Sequence, residues 1–334
     1  MSKKSSTPGS SFLSVQTIVL LAFAWGIIAL LFFLLFSVAP PGQERPEWYG
    51  ITTYVLEEVA FLGAGILCFR NWRSPQIVSG RTVWLLLGLG VTLYFIGNLF
   101  FGYWELGLHI EPDISPGDFF FIPAYICLGW GMLLAVISRQ LNLTPIQWAI
   151  VVGIALAGIV LAYVLAYQPE HSDSATAPAV EQVSPSPLAA APTAPGAAPS
   201  IAPAASPTPE PPAEEPVNAP AWAVSLENFL APFAGVVSTL YIVGDIILVV
   251  MATMLLLAFW GGRFSLSWRF IAAAAFSYYI ADMWFNYATS YIPDYQTGSL
   301  PEVCWIFSGC LFAIGAALEY DLSTRSRRSS RRRA

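Results

Sequence analysis

Apolar runs of about 20 residues, the length that carries a helix across a bilayer core, recur along the chain between short polar breaks. Eight segments have this form: 12–38, 51–69, 83–103, 119–138, 146–167, 236–260, 267–287 and 301–320. Each is read as a transmembrane helix. The first follows Lys3 and Lys4. Its apolar run exceeds the roughly 7–15 residues of a cleaved signal core, and no small-residue cleavage pattern follows, so it is read as a retained helix.

The placement of lysine and arginine sets the expected orientation. With the N-terminus in the cytoplasm and eight crossings, the inside collects Lys3, Lys4, Arg70, Arg73, Arg81, Arg139, Arg263, Arg269 and the arginines from Arg325 to Arg333. Only Arg45 is left outside. Seven or nine helices would break this sorting. Both termini are therefore expected in the cytoplasm, as a short segment 1–11 and an Arg-rich tail 321–334.

Residues 168–220 have another character. They hold 14 of the 26 prolines, six acidic residues and no Lys or Arg. Such a stretch cannot bury a core and is expected to be a disordered, extracytoplasmic, Pro/Ala-rich insert. It reads either as a spacer toward a partner or as a tolerated low-complexity loop. After it, Trp222, Phe229 and Leu230 near Glu227 predict a short interfacial helix before Pro232.

The apolar pattern also repeats. At an offset of 184, Trp84 matches Trp268, Tyr94 matches Tyr278, Phe101 matches Phe285 and Tyr103 matches Tyr287. Ser115 falls on Ser299, Gly131 on Gly315, Asn98 on Asp282 and Asp118 on Glu302. At an offset of 187, TTYVLEEV from Thr52 matches TLYIVGDI from Thr239, placing Tyr54 on Tyr241 and Glu58 on Asp245. The expected fold is an all-α integral membrane protein, a duplication of a four-helix unit. The units are 12–138 and 146–320, the second interrupted by the insert. An even helix count makes them parallel repeats about an axis along the membrane normal.

Composition removes whole classes of function. Of 334 residues, 56% are hydrophobic and 11% charged. An ordinary soluble domain carries about 25% charged residues. A soluble enzyme and a nucleic-acid binder are excluded, and the lipid bilayer is the expected surrounding. Cys68, Cys127, Cys304 and Cys310 show no metal-ligand spacing, and His109 and His171 lie in polar connections. Neither a metal nor a cofactor is expected. No zinc-protease, nucleophile-elbow or phosphate-loop motif is present, and the chain is not read as an enzyme. Gly-rich runs such as LLLGLG are read as helix-packing surfaces.

Carboxylates at membrane depth remain. Each costs at least about 2.5–3.5 kcal/mol on insertion scales and is a functional candidate. Glu57, Glu58, Asp245 and Asp282 lie inside helices, and Asp118 and Glu302 stand at helix starts. All fall toward the extracytoplasmic half. The ligand-binding candidates are Glu58, Asp118, Asp245, Asp282, Glu302 and Asn98, with Tyr54, Tyr241, Tyr103 and Tyr287. An outward-facing acidic and aromatic pocket of this kind suits a small cationic or amphipathic ligand. The plainer reading makes Asp118 and Glu302 helix caps and the aromatics an interfacial belt. Asp245 and Asp282 are then structural hydrogen bonders.

The stretch GNLFFGYWELGLHIEPDISPGDFFFIPAYICLGWGMLL from Gly97 resembles multi-helix membrane input domains that precede bacterial diguanylate cyclases and histidine kinases. Those regions place a Pro-x-x-Asp-aromatic turn before a Gly-containing helix. Here Pro116 and Asp118 are only two apart. The resemblance implies a sensory module. No output domain is read in the chain, so its signalling partner is expected to be a separate chain. The alternatives are a small-molecule or cation transporter and an accessory subunit of a larger membrane complex.

Overall fold

A computed structural model describes residues 14–38, 45–110, 114–138, 143–166, 220–259, 265–292 and 295–331. The chain divides into a helical unit (1–166 with 218–334) and a second unit, 167–217. The second unit lies outside the described residues, and so does the expected disordered insert apart from Pro220. The segment 1–11 also lies outside them.

The described residues are all-helical. Nine α-helices follow in order: α1 (Val15–Phe36), α2 (Glu47–Arg73), α3 (Arg81–Gly102), α4 (Asp118–Ile137), α5 (Pro145–Ala166), α6 (Ala221–Leu230), α7 (Ala234–Ala258), α8 (Ser265–Tyr291) and α9 (Val303–Arg331). A π-helical turn, Tyr103–Gly107, extends α3. A 3₁₀ turn, Ala231–Phe233, holds Pro232 and joins α6 to α7, and another, Leu300–Glu302, opens α9.

Six helical stretches are long and apolar enough to cross a membrane: α1, α2, α3 with its π turn, α4, α6 continued into α7, and the start of α9 through Arg325. The described apolar part of α5, Pro145–Leu161, is shorter. Helix α8 has the length but places Ser277, Asp282 and Asn286 among its apolar residues. Trp268, Ile271, Ala272, Ala275, Tyr278 and Ala281 of α8 are buried within the bundle. A helix shielded by its neighbours tolerates such polar positions.

Six helices close a ring. In order round it, α2 packs on α3, α3 on α4, α4 on α7, α7 on α8, α8 on α9 and α9 on α2. Helix α1 lies outside against α9 and α2, and α5 against α7 and α8. The high apolar content of α1 suits that place, because little of it is covered by protein. One anchor holds it: the Trp25 indole donates to the Leu56 carbonyl of α2 at 2.8 Å.

Helices α3 and α8 face each other across the ring and meet through aromatic side chains. Trp84 contacts Trp268 with ring centres 5.7 Å apart, Tyr94 contacts Tyr278 at 5.1 Å and Phe101 contacts Phe285 at 6.4 Å. All three contacts keep one offset in sequence. The two helices therefore run in the same direction, and each residue touches the one that the sequence pattern pairs with it. Trp84 and Trp268 are fully buried, and Phe259 stacks on Trp268 at 5.1 Å.

Small residues let the helices approach, as is usual in membranes. A Cβ on Gly90 would sit 2.6 Å from Leu128, one on Gly309 2.9 Å from Ala60, and one on Gly315 2.6 Å from Ile271. The matched pair Gly131 and Gly315 abuts the matched pair Leu87 and Ile271.

Helix α9 runs past the apolar segment 301–320 and into the Arg-rich residues, as far as Arg331. Ser323 is fully buried and accepts from the Val78 N–H at 3.4 Å, while Arg325 pairs with Asp321 one turn back at 2.8 Å. Packing on the α2–α3 connection carries the helix past its apolar run.

With the four native cysteines replaced, Phe101→Cys with Phe285→Cys is expected to form an intramolecular cross-link with a short bis-thiol reagent. Phe101→Cys with Ile280→Cys, which places the second thiol on the exposed side of α8, is expected to remain uncross-linked. Electrophoretic mobility after cleavage in the insert reads the result. No link in the first pair would contradict the contact between α3 and α8.

Candidate functional site

The site lies toward the end of the bundle where α2, α4, α7 and α9 begin. Its deepest part is built on Asp245 of α7, Asp282 of α8 and Tyr125 of α4. The Tyr125 hydroxyl is 2.8 Å from Asp245 Oδ1 and also contacts Asp282 Oδ2. The Trp305 indole of α9 donates to Asp282 Oδ1 at 2.5 Å. Asp245 is fully buried and its Oδ2 has no hydrogen-bond partner. Four helices thus meet at two carboxyl groups.

Tyrosine rings wall the pair. Tyr125 contacts Tyr241 at 5.6 Å and Tyr278 at 5.5 Å between ring centres. Across the ring, Tyr94 donates to Glu57 Oε1 at 2.6 Å. Glu58, one residue on, lies beside the Asn98 amide. Neither Glu58 oxygen nor Asn98 Nδ2 completes a hydrogen bond. The sequence matches Glu58 with Asp245 and Asn98 with Asp282, so the two places hold corresponding residues with different hydrogen bonding. The difference has a visible cause: Tyr125 has Gly309 at its matching position, so only one place receives a bridging hydroxyl.

Asp118 and Glu302 stand nearer the end of the bundle, at the starts of α4 and α9, and Glu302 caps its helix. Asp118 Oδ2 accepts from the Ser115 N–H at 2.7 Å. Glu302 accepts from the Gly298 N–H at 2.6 Å and the Ser299 N–H at 3.3 Å, in a capping box. Each also accepts a phenol, Tyr241 on Asp118 and Tyr295 on Glu302. At Glu302 capping and side-chain recognition use the same carboxylate.

The connection at 295–299 ties this end together. The Arg45 guanidinium donates to the carbonyls of Ser37 (3.1 Å), Gln296 and Thr297 (2.7 Å). The Tyr49 hydroxyl donates to the Gly298 carbonyl at 2.5 Å. Gly298 has φ of 96°, a left-handed conformation that suits glycine, and a Cβ there would lie 2.6 Å from the Tyr49 ring. The hydroxyls of Thr297 and Tyr54 both reach the Glu105 carboxylate, which the π turn presents. Such π turns recur at functional sites.

The predicted residues therefore separate. Asp245 and Asp282 meet directly, Glu58 with Asn98 forms their counterpart, and Asp118 with Tyr241 and Glu302 lie one layer out. Tyr54 belongs to the Glu105 contact. Tyr103 and Tyr287 do not join: they are 55% and 43% exposed, and Tyr287 stacks on Tyr291. At the last turn of α3 and near the end of α8 these rings face outward.

The sequence reading did not find Tyr125, Tyr94, Tyr278, Glu105 or Tyr295. It weighed Glu57 but took Glu58, the residue that matches Asp245, and the hydrogen-bonded acid is Glu57. Spacing gave one usable signal for Tyr125, which lies two turns into α4 from Asp118 on a helix already marked as acid-bearing. Glu105 had none, because its place depends on the π turn. A further buried acid, Glu319, lies far along α9 and accepts from Ser267 Oγ at 3.0 Å. Among the described residues no group of three or more His, Cys, Asp or Glu could hold a metal ion.

Neither a family model, a curated protein nor a solved structure matches this chain.

The Tyr125 ring packs closely against α7 at Gly244, where a Cβ would lie 2.6 Å from it. Gly244→Ala is expected to lower the thermal unfolding midpoint in detergent by the equivalent of about 1–3 kcal/mol, the usual cost of overpacking. Gly63→Ala, where a Cβ meets open space, is expected to leave the midpoint unchanged or slightly raised. Equal effects at both positions would contradict the close contact.

Proposed function

We propose that this multi-pass membrane protein is a sensory or ligand-binding module, with its site in the extracytoplasmic half and a small cationic or amphipathic molecule as its ligand. The observation that carries the reading is the convergence of Asp245, Asp282, Glu57 and Glu58 on phenol, indole and amide groups inside one helix ring. The hydrogen-bond donors that reach Glu57, Asp245 and Asp282 are tyrosine and tryptophan, not lysine or arginine. A cation entering this set would meet uncompensated acid groups and aromatic faces, which together favour positive charge.

In this reading the chain crosses the cell membrane eight times, with α1–α4 and α5, α7, α8 and α9 as two related halves. The ring order supports the duplication, because α2, α3 and α4 stand opposite α7, α8 and α9. The self-matching contacts of α3 with α8 support a two-fold axis along the membrane normal. The sorting of basic residues supports cytoplasmic termini and an extracytoplasmic insert at 168–220. The aromatic contacts through the ring centre favour a binding module over an open conduit. The resemblance of the 97–134 stretch to membrane input domains favours a sensory role, with output through a separate partner chain.

Native mass spectrometry of the protein released from a mild detergent tests this function. The expected result is a reproducible small-molecule adduct that is lost in Asp245→Asn. A bare chain mass would contradict it, and a second protein co-purifying with that bare chain would favour an accessory subunit.

A further inference from the structure

The hydrogen atoms available at the deepest part of the site do not match its contacts. Tyr125 has one hydroxyl hydrogen and can give it to one carboxylate. Its oxygen nevertheless touches both Asp245 Oδ1 and Asp282 Oδ2. Two ionised carboxylates would leave one of these oxygen pairs without a hydrogen and facing a lone pair. One added proton resolves the contacts.

The surroundings decide where that proton sits. Asp282 Oδ1 accepts from the Trp305 indole at 2.5 Å, and a hydrogen bond from a fixed donor favours the ionised form. Asp245 has no indole donor, and its carboxyl lies within hydrogen-bond reach of the Asp282 carboxyl itself, so a proton on it is shared within the pair. Asp245 is fully buried, and its Oδ2 has no partner. Burial without such a donor favours the neutral acid. The chain then runs from the Asp245 acid O–H to the Tyr125 oxygen, and from the Tyr125 O–H to the Asp282 carboxylate.

We propose that Asp245, Tyr125 and Asp282 form a binding site for a single proton, carried on Asp245 and passed through the Tyr125 hydroxyl. This deepens the ligand-binding reading by naming the cation that occupies the innermost part of the site. Moving the proton toward Asp282 reverses both hydrogen bonds of Tyr125 without moving a heavy atom. The O–H bond of Asp245 breaks as the Tyr125 oxygen gains that hydrogen, and Tyr125 gives its own to Asp282. Charge passes to Asp245, and no oxidant or co-reactant is needed.

The groups acting on the pair come from every helix round it. Tyr125 faces it from α4, Tyr278 and Tyr279 from α8, Trp305 from α9, and Tyr241 lies one turn away on α7. Glu57 of α2 faces Asp282 from across the ring. None of these groups is basic. With no basic group facing the pair, two ionised aspartates together are costlier and one retained proton is more favourable. Tyr241 donates to Asp118, so the next carboxyl and phenol pair lies toward the end of the bundle. That places a second acceptor, Asp118, two turns of α4 from Tyr125, at the end of the bundle where α4 begins.

Infrared spectroscopy of the full chain in lipid, labelled with ¹³C at the aspartate carboxyl carbons, tests the proposal. Near neutral pH the wild type is expected to show the C=O stretch of a protonated aspartic acid. Asp245→Asn is expected to lose that band, and Tyr125→Phe to shift its frequency by removing the hydroxyl partner. The label separates aspartate from Glu57, Glu58 and Glu302. No acid band near neutral pH, or a band that survives Asp245→Asn, would overturn the proposal. If Asp245→Asn does not fold, a band unmoved by Tyr125→Phe overturns it. An acid band without an adduct in native mass spectrometry would leave the proton site standing and remove the larger ligand. An adduct without an acid band would do the reverse.

Discussion

A carboxyl group inside an apolar helix bundle must find a hydrogen-bond donor or keep its proton, and the arrangement of this bundle follows from that constraint. Removing a charged group from water is costly, and a neutral or hydrogen-bonded acid is the affordable form. The described contacts of Glu57, Asp245 and Asp282 are with Tyr94, Tyr125 and Trp305. Those aromatic side chains sit on α3, α4 and α9, while the acids sit on α2, α7 and α8. Each of these acids is thus hydrogen-bonded to a neighbouring helix in the ring. The same contacts that make the acids tolerable hold adjacent helices together.

The centre of the ring answers a second demand, for packing without a gap. Trp84 with Trp268, Tyr94 with Tyr278 and Phe101 with Phe285 fill it at three levels. Glycines on the facing helices let those rings and their neighbours close. The column and the acid cluster meet at Tyr94 and Tyr278, whose rings touch each other and whose flanks face Phe61 and Tyr125. A change in the hydrogen bonding of the acids would therefore be felt by the residues that join the two halves of the ring.

Much of this was legible along the chain, because a bilayer imposes a simple length rule. The eight apolar segments each contain a helix, although α8 and the described part of α5 are less apolar or shorter than the other six. The offset that pairs Trp84 with Trp268 also describes which residues touch. Asp245 and Asp282 stood out by their depth alone. Partners were harder to read. Tyr125 has glycine at its matching position, so the repeat pattern hides it. Glu105 depends on a π turn, which no hydrophobic period announces. Glu57 and Glu58 are adjacent, and choosing between them needs the rotation of α2 about its axis. Tyr103 and Tyr287 matched in sequence yet face outward, since a shared register does not fix which side a ring takes at a helix end.

A double-mutant cycle between Tyr125→Phe and Asp282→Asn, read by reversible unfolding in mixed detergent, tests the central claim most directly. Groups in direct contact are expected to couple by about 0.5–3 kcal/mol. A coupling in that range would match one hydroxyl shared between the two carboxyl groups. Additive effects, within about 0.5 kcal/mol, would contradict it, because independent sites behave that way.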